Sequence, residues 1–269
     1  STGERWFKID DTGRLHPEHV AALQQRFGDD AVVIRESDGR RQMRLVTLSE
    51  LRTRFEQPGE FLFIQGEEIT DSYERTAVHV NGMNLAEIIN PRGGTSVADV
   101  MNRNVDAVHE QGKRLGRPTL AHINHPNYGW ALSWQDVASV RNDRFFEVYN
   151  GHRGVRNHGD ETHPSTESIW DQAMTLRLTA LGLGPLFGVA TDDAHDYYGG
   201  LTSQPGRGWI MVRSASLDGD SIVRAMRAGD FYASSGGTLD DVQMGDGAYR
   251  GSIRAHEGAG PQTFRTPST

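Results

Sequence analysis

The chain of 269 residues contains no cysteine. That excludes a disulfide framework, a Cys-based zinc finger and a thiol nucleophile, while leaving the compartment open. No run approaches the roughly 18 consecutive apolar residues of a membrane span. Basic residues are also scarce: 28 Lys and Arg face 36 Asp and Glu, for a formal charge of −8. Neutralising a nucleic-acid backbone needs the opposite balance, so nucleic acid is not the expected partner. A local acidic cluster could still hold metal cations. The opening Ser1-Thr2-Gly3-Glu4 has no initiator Met and no signal-peptide pattern, so a processed product or a fragment is expected.

Periodicity fills in what is present. Val20, Leu23 and Phe27 fall at helical spacing after Pro17, and Asp38-Gly39 separates two short apolar runs as a hairpin turn would. A short helix is expected over residues 48–55, stopped by Pro58-Gly59. Ser96 precedes a long helix with Val97, Val100, Met101, Val105 and Val108 on one face. Ser133 and Ser165 open two more helices, and another is expected over about 217–228. The apolar runs 61–64, 119–123, 145–149, 186–190 and 209–212 read as buried strands, mostly apolar throughout as parallel strands covered on both faces are. Asp246-Gly247 could turn a last hairpin, and the tail from Gly258 is rich in Gly, Pro and Thr.

Strands alternating with helices indicate an α/β sheet or barrel. Polar residues at the carboxyl ends of such strands are where a barrel of this kind builds its active site. Several of the 11 histidines lie there beside carboxylates. Histidine with carboxylate, and no Cys, is the ligand set of catalytic zinc, manganese or iron. Glu68, His79, His125, Asp193 and His195 are the candidates, and they are expected to converge. Asp193 and His195 are two apart, which in an extended segment puts both on one side. His16, His19, His109 and His256 read as surface or structural histidines, with His109 expected to be solvated among Glu110, Gln111 and Lys113.

Gly66-Glu67-Glu68-Ile69-Thr70, His79-Val80-Asn81-Gly82, Asn124-His125-Pro126-Asn127, Glu147-Val148-Tyr149-Asn150 and Asp193-Ala194-His195 resemble successive motifs of the PHP (polymerase and histidinol phosphatase) superfamily. Asn150-Gly151-His152, His163-Pro164-Ser165-Thr166-Glu167 and the stretch from Gly229 to Ser234 resemble its CehA/McbA-type branch. The resemblance spans about residues 60 to 240. It implies a distorted (β/α)7 barrel with a trinuclear metal centre that hydrolyses phosphoesters through a metal-bound hydroxide. Glu68 would bridge two metals, His79 and His125 would complete the second, Asp193 would ligate the first and His195 the third. Glu68 and Asp193 would be closest to the catalysis. His122, Glu147, Asn150 and Asp192 would support the ligands or face substrate, and Arg153 could hold a substrate oxyanion.

The family's opening His-x-His motif does not occur in this sequence, nor does the Asp-His motif that follows it. The expectation is therefore an incomplete (β/α)7 barrel over residues 1–236, lacking its first strands, with a short β-rich extension over 237–269. Of the up to three divalent ions of an intact family member, about one (zinc, manganese or iron) is expected here. The substrate would be a small-molecule ester, with no nucleic-acid or membrane partner. The expected activity, if the chain is completed by the missing N-terminal motifs, is metal-dependent hydrolysis, most directly of phosphoesters; the present chain is expected to show little of it. A carboxylester or carbamate hydrolase, and a non-catalytic remnant that binds a metal or a partner, are the alternatives.

Overall fold

A computed structural model describes residues 4–10, 15–196, 203–245 and 248–255. Contacts divide the chain into two units, residues 1–63 and 64–269.

The first unit holds β1 (Trp6–Lys8), α1 (Pro17–Phe27), β2 (Ile34–Ser37), β3 (Arg40–Arg44) and α2 (Leu48–Phe55). Its antiparallel sheet has the order β1-β3-β2. Asp38 and Gly39 join β2 to β3 with φ of 54° and 66°, the two left-handed residues that a tight hairpin turn requires. Leu15, Val20 and Val32 make the buried core, packed by Leu23, Ile34 and Met43. Thr47 and Glu50 close a reciprocal cap at the start of α2.

The run 61–64 does not form the strand expected of it. Phe61 is 46% exposed and makes only an isolated bridge to Gln57 across the Pro58-Gly59 turn. The strand begins later, at Gly66, in a segment whose residues alternate in burial and carry little apolar character. An antiparallel strand at a sheet edge needs only one apolar face, so it carries no continuous apolar run.

The second unit contains β4 (Gly66–Tyr73), β5 (Thr76–Met83), α3 (Val97–Leu115), β6 (Leu120–Ile123), α4 (Trp134–Ala138), β7 (Phe145–Asn150), α5 (Thr166–Leu176), β8 (Phe187–Thr191), β9 (Trp209–Val212), α6 (Gly219–Ala228), β10 (Phe231–Ser234), β11 (Gly237–Gly245) and β12 (Ala248–Ala255). The main sheet has the order β4-β5-β6-β7-β8. β4, β5 and β6 pair antiparallel, whereas β6, β7 and β8 run parallel. The protein is thus mixed α/β. Among the described residues the main sheet is open, with no closed barrel. β9 is not a parallel member of it: Trp209 to Val212 pair antiparallel with β10 in a separate two-stranded sheet. β11 and β12 also pair antiparallel. The expected Asp246-Gly247 turn, the tail from Gly258, and His256 lie outside the described residues.

The two faces of the main sheet differ in chemistry. Ile69, Val78, Val80, Ala121, Ile123 and Phe146 point to one side, where Val100, Met101, Val105 and Val108 of α3 and residues of α4 and α5 bury them. Ser96 caps α3 and Gly116 ends it in the left-handed conformation. On the other side, Leu120, Phe145 and Val189 pack with Val223 and Met226 of α6. Two residues further along each parallel strand, that same side carries His122, Glu147 and Thr191. The register Glu68↔Asn81↔His122 continues the polar patch across β4 and β5. One half of this face is therefore core, and the half at the carboxyl ends of the parallel strands is polar.

His109 is not solvated. Its Nε2 lies 2.9 Å from Asp143 Oδ2, and its Nδ1 is 2.8 Å from Arg227 Nη2. Both partners are remote in sequence, so the helix pattern around His109 carried no trace of them. α5 continues as a π-helical turn, Arg177–Leu181, which buries Arg177 with its guanidinium on the carbonyls of Gly184, Ala138 and Val140. No helix among the described residues is long and apolar enough to cross a membrane.

Candidate metal centre

Three of the five candidate ligands meet at one point. Glu68 comes from β4, His79 from β5 and His125 from the turn after β6. Glu68 Oε1 is 3.2 Å from His79 Nδ1 and 3.5 Å from His125 Nε2, and the two ring nitrogens are 3.4 Å apart. Donor atoms around a tetrahedral ion with bonds of 2.0–2.1 Å are separated by about 3.3–3.4 Å. The triangle is thus already the size of one face of such a site, and these residues form a group that could hold a metal ion.

Each position follows from the sheet. Thr70 pairs with His79 and Glu68 with Asn81, so Glu68 and His79 share a face. His125 stands three residues beyond His122 in the turn after β6, where its backbone takes φ of 21°. A non-glycine residue there is strained by about 1–3 kcal/mol. What holds it is Glu147, whose Oε2 accepts the His125 backbone N–H at 2.8 Å. Asn124 donates to Glu68 Oε1 at 2.8 Å and fixes that carboxylate. Such supporting bonds orient metal ligands.

Glu147 organises the rest. Its carboxylate is 1% exposed and also accepts Asn150 Nδ2 and Thr191 Oγ1, each at 2.8 Å. A β-bulge between Glu147 and Tyr149 adds one residue to β7. Without it Asn150, three residues on, would face the other side of the sheet; with it, Asn150 reaches both Glu147 and, at 3.2 Å, Asp193 Oδ2.

Asp193 sits beside the triad, its Oδ2 4.0 Å from His125 Nε2. The extended segment expected for Asp193 and His195 is not found: β8 ends at Thr191 and Asp193 takes φ of 45°. His195 turns back onto it, with Nδ1 2.8 Å from the Asp193 carbonyl, and its side chain is 62% exposed. Asp192 bonds the 206–208 loop: its carboxylate accepts the backbone N–H groups of Gly206, Arg207 and Gly208 and so anchors it. Arg153 is exposed, and its backbone N–H donates to Ser203 Oγ.

The charges of the cluster are coupled to one another. Hydrogen bonds to His125 and His79 hold the Glu68 carboxyl well below the usual carboxylate range. Burial alone would push His125 down, but the Glu68 hydrogen bond and the charges of Glu147 and Asp193 carry it above its ordinary value. Burial lowers His122 below its ordinary value, against the charge of Glu147 3.9 Å away. His122 Nδ1 and Asn124 Oδ1 are buried without a hydrogen-bond partner among the described residues. A cavity of about 720 Å³ lined by His109, Lys113, Arg117 and Arg227 shares no residue with this cluster.

Reasoning from sequence left out His152 and Tyr128. The ring centroids of His125 and Tyr128 are 5.2 Å apart, those of Tyr128 and His152 5.8 Å, and those of His152 and His195 4.9 Å. Burial lowers His152 below its ordinary value. His152 lies in Asn150-Gly151-His152, a string that resembles a family motif but carries no signal of that residue's own role. No protein-family model, no curated protein and no solved structure matches the chain.

Proposed function

We propose that this chain is a metal-dependent hydrolase of the PHP type, acting on small phosphoesters, with one divalent ion of zinc, manganese or iron held by Glu68, His79 and His125. The convergence of these three side chains from separate elements, at the separations of a tetrahedral face, carries the reading. Two histidines and one glutamate form a donor set that leaves a coordination position for water. A bound ion of this kind supplies Lewis acidity and brings the pKa of water toward neutrality.

The chain's own residues do the positioning. Glu68 lies between the two imidazoles, with Asn124 bonded to the same carboxylate oxygen. Glu147 keeps His125 in its strained turn. Asn150 aims the Asp193 carboxylate beside His125, where it can accept a proton from an attacking water. Asp193 and His195 would serve further ions in a complete PHP-type barrel, whose (β/α)7 closure is part of the same reading.

A non-catalytic metal binder is the second reading. It is favoured by the lack of any His-x-His in the sequence and by the exposure of His195, which leave the other two metal positions thinly supplied. Metal content, together with hydrolysis of an aryl phosphate and an aryl carboxylester, separates the readings. One metal equivalent with phosphatase activity lost in His79→Ala supports the first. One equivalent without turnover supports the second, and preference for the carboxylester would move the substrate class.

A further inference from the structure

His152 has a fixed protonation pattern that follows from a single backbone contact. The Gly154 backbone N–H donates to His152 Nδ1 at 3.0 Å. An amide can only donate, so Nδ1 presents its lone pair and the ring proton sits on Nε2. This arrangement makes Nε2 a poor metal ligand and a good hydrogen-bond donor. It has no protein partner among the described residues.

The contact depends on glycine. A Cβ on residue 154 would stand 3.0 Å from both Nδ1 and Cε1 of His152, and 3.0 Å from Tyr128. The residue is tied to the ligand cluster through its backbone as well. The His152 backbone N–H donates to Asn150 Oδ1 at 2.8 Å, and Asn150 Nδ2 binds Glu147 and Asp193. The Tyr128 ring contacts both the His152 ring and that of His125. A neutral donor held this close to a hydrolytic centre is placed to meet the oxygen on which negative charge develops.

We infer that His152 is a substrate-binding donor, its Nε2–H directed by the Gly154 amide to an oxyanion of the ester bound at the Glu68–His79–His125 centre. This inference rests on the hydrolase reading above, and two measurements keep the two apart. The first is ring ¹⁵N NMR on metal-free protein. His152 should show an unprotonated Nδ1 and a protonated Nε2, and Gly154→Ala should mix the two tautomers. The second is binding of inorganic phosphate to the metal-loaded protein. His152→Ala should weaken it about tenfold. His152→Gln, which keeps an N–H donor at similar reach, should recover most of that loss, with metal stoichiometry unchanged in both variants. A protonated Nδ1, or unaltered phosphate affinity in metal-loaded His152→Ala, overturns the donor role. A parent protein that takes up no metal sinks the hydrolase reading and the oxyanion role together, whatever the tautomer.

Discussion

Replacing Glu147 separates two reasons a buried carboxylate can matter. Its Oε2 accepts the His125 amide and Asn150 Nδ2, and its Oε1 accepts the Thr191 hydroxyl. Glu147→Ala leaves the His125 amide buried without a partner, at about 1–3 kcal/mol, and leaves Asn150 Nδ2 with Asp193 alone. It also removes the tie that offsets the strain at His125. The expected destabilisation is about 3–5 kcal/mol. Glu147→Gln behaves differently. The amide oxygen can take the place of Oε2, and the Thr191 hydroxyl can rotate to accept from the new NH₂. The cost should stay below about 1.5 kcal/mol. Urea denaturation followed by circular dichroism gives both numbers, and exchange of the His125 amide locates the effect. Equal losses in the two variants would mean that charge, not hydrogen-bond acceptance, holds the site; losses under about 1 kcal/mol in both would remove Glu147 as its organiser.

Other expectations follow from the same geometry. The lowered pKa of Glu68 stabilises the metal-free fold above 4.5, a contribution lost as pH falls through its folded value. The raised pKa of His125 contributes fully below 6.5 and is lost as pH rises through its folded value. Thermal melts of metal-free protein should therefore show this part of the stability greatest between those two values. Zinc must displace the His125 proton, so its apparent affinity should rise as pH climbs through the raised folded value of His125, as competition with a chelator would measure. Asp192→Ala should free the amides of Gly206, Arg207 and Gly208, costing about 1–3 kcal/mol and speeding their exchange, with metal content unchanged. Arg177→Met should cost about 3 kcal/mol in denaturation, because three carbonyls lose their donor.

Where helices bury one stripe, the sequence was explicit. Proline at the first turn of α1 and the Ser96 cap of α3 mark ends observed, and the bounds 48–55 expected for α2 are those found. The parallel strands β6, β7 and β8 were legible for the same reason: both faces are covered, so the runs are apolar. β4 was not, because an edge strand needs alternation alone and Gly-Glu-Glu-Ile-Thr-Asp-Ser-Tyr has a single buried residue, Ile69. The phenylalanines at 61 and 63 drew the reading away from it. In the candidate site, Glu68, His79 and His125 could be named from residue type and motif. The bulge that aims Asn150, the left-handed turn at Asp193 and the His109–Asp143 pair are set by contacts between distant segments, which local periodicity does not record.

The most direct test is a zinc titration of the metal-stripped chain, with stoichiometry and affinity read by calorimetry. One equivalent should bind tightly, be lost in His79→Ala and in His125→Ala, and persist in His195→Ala. Absence of a tight equivalent, or its survival after both His79 and His125 are replaced, would contradict a metal centre built from Glu68, His79 and His125.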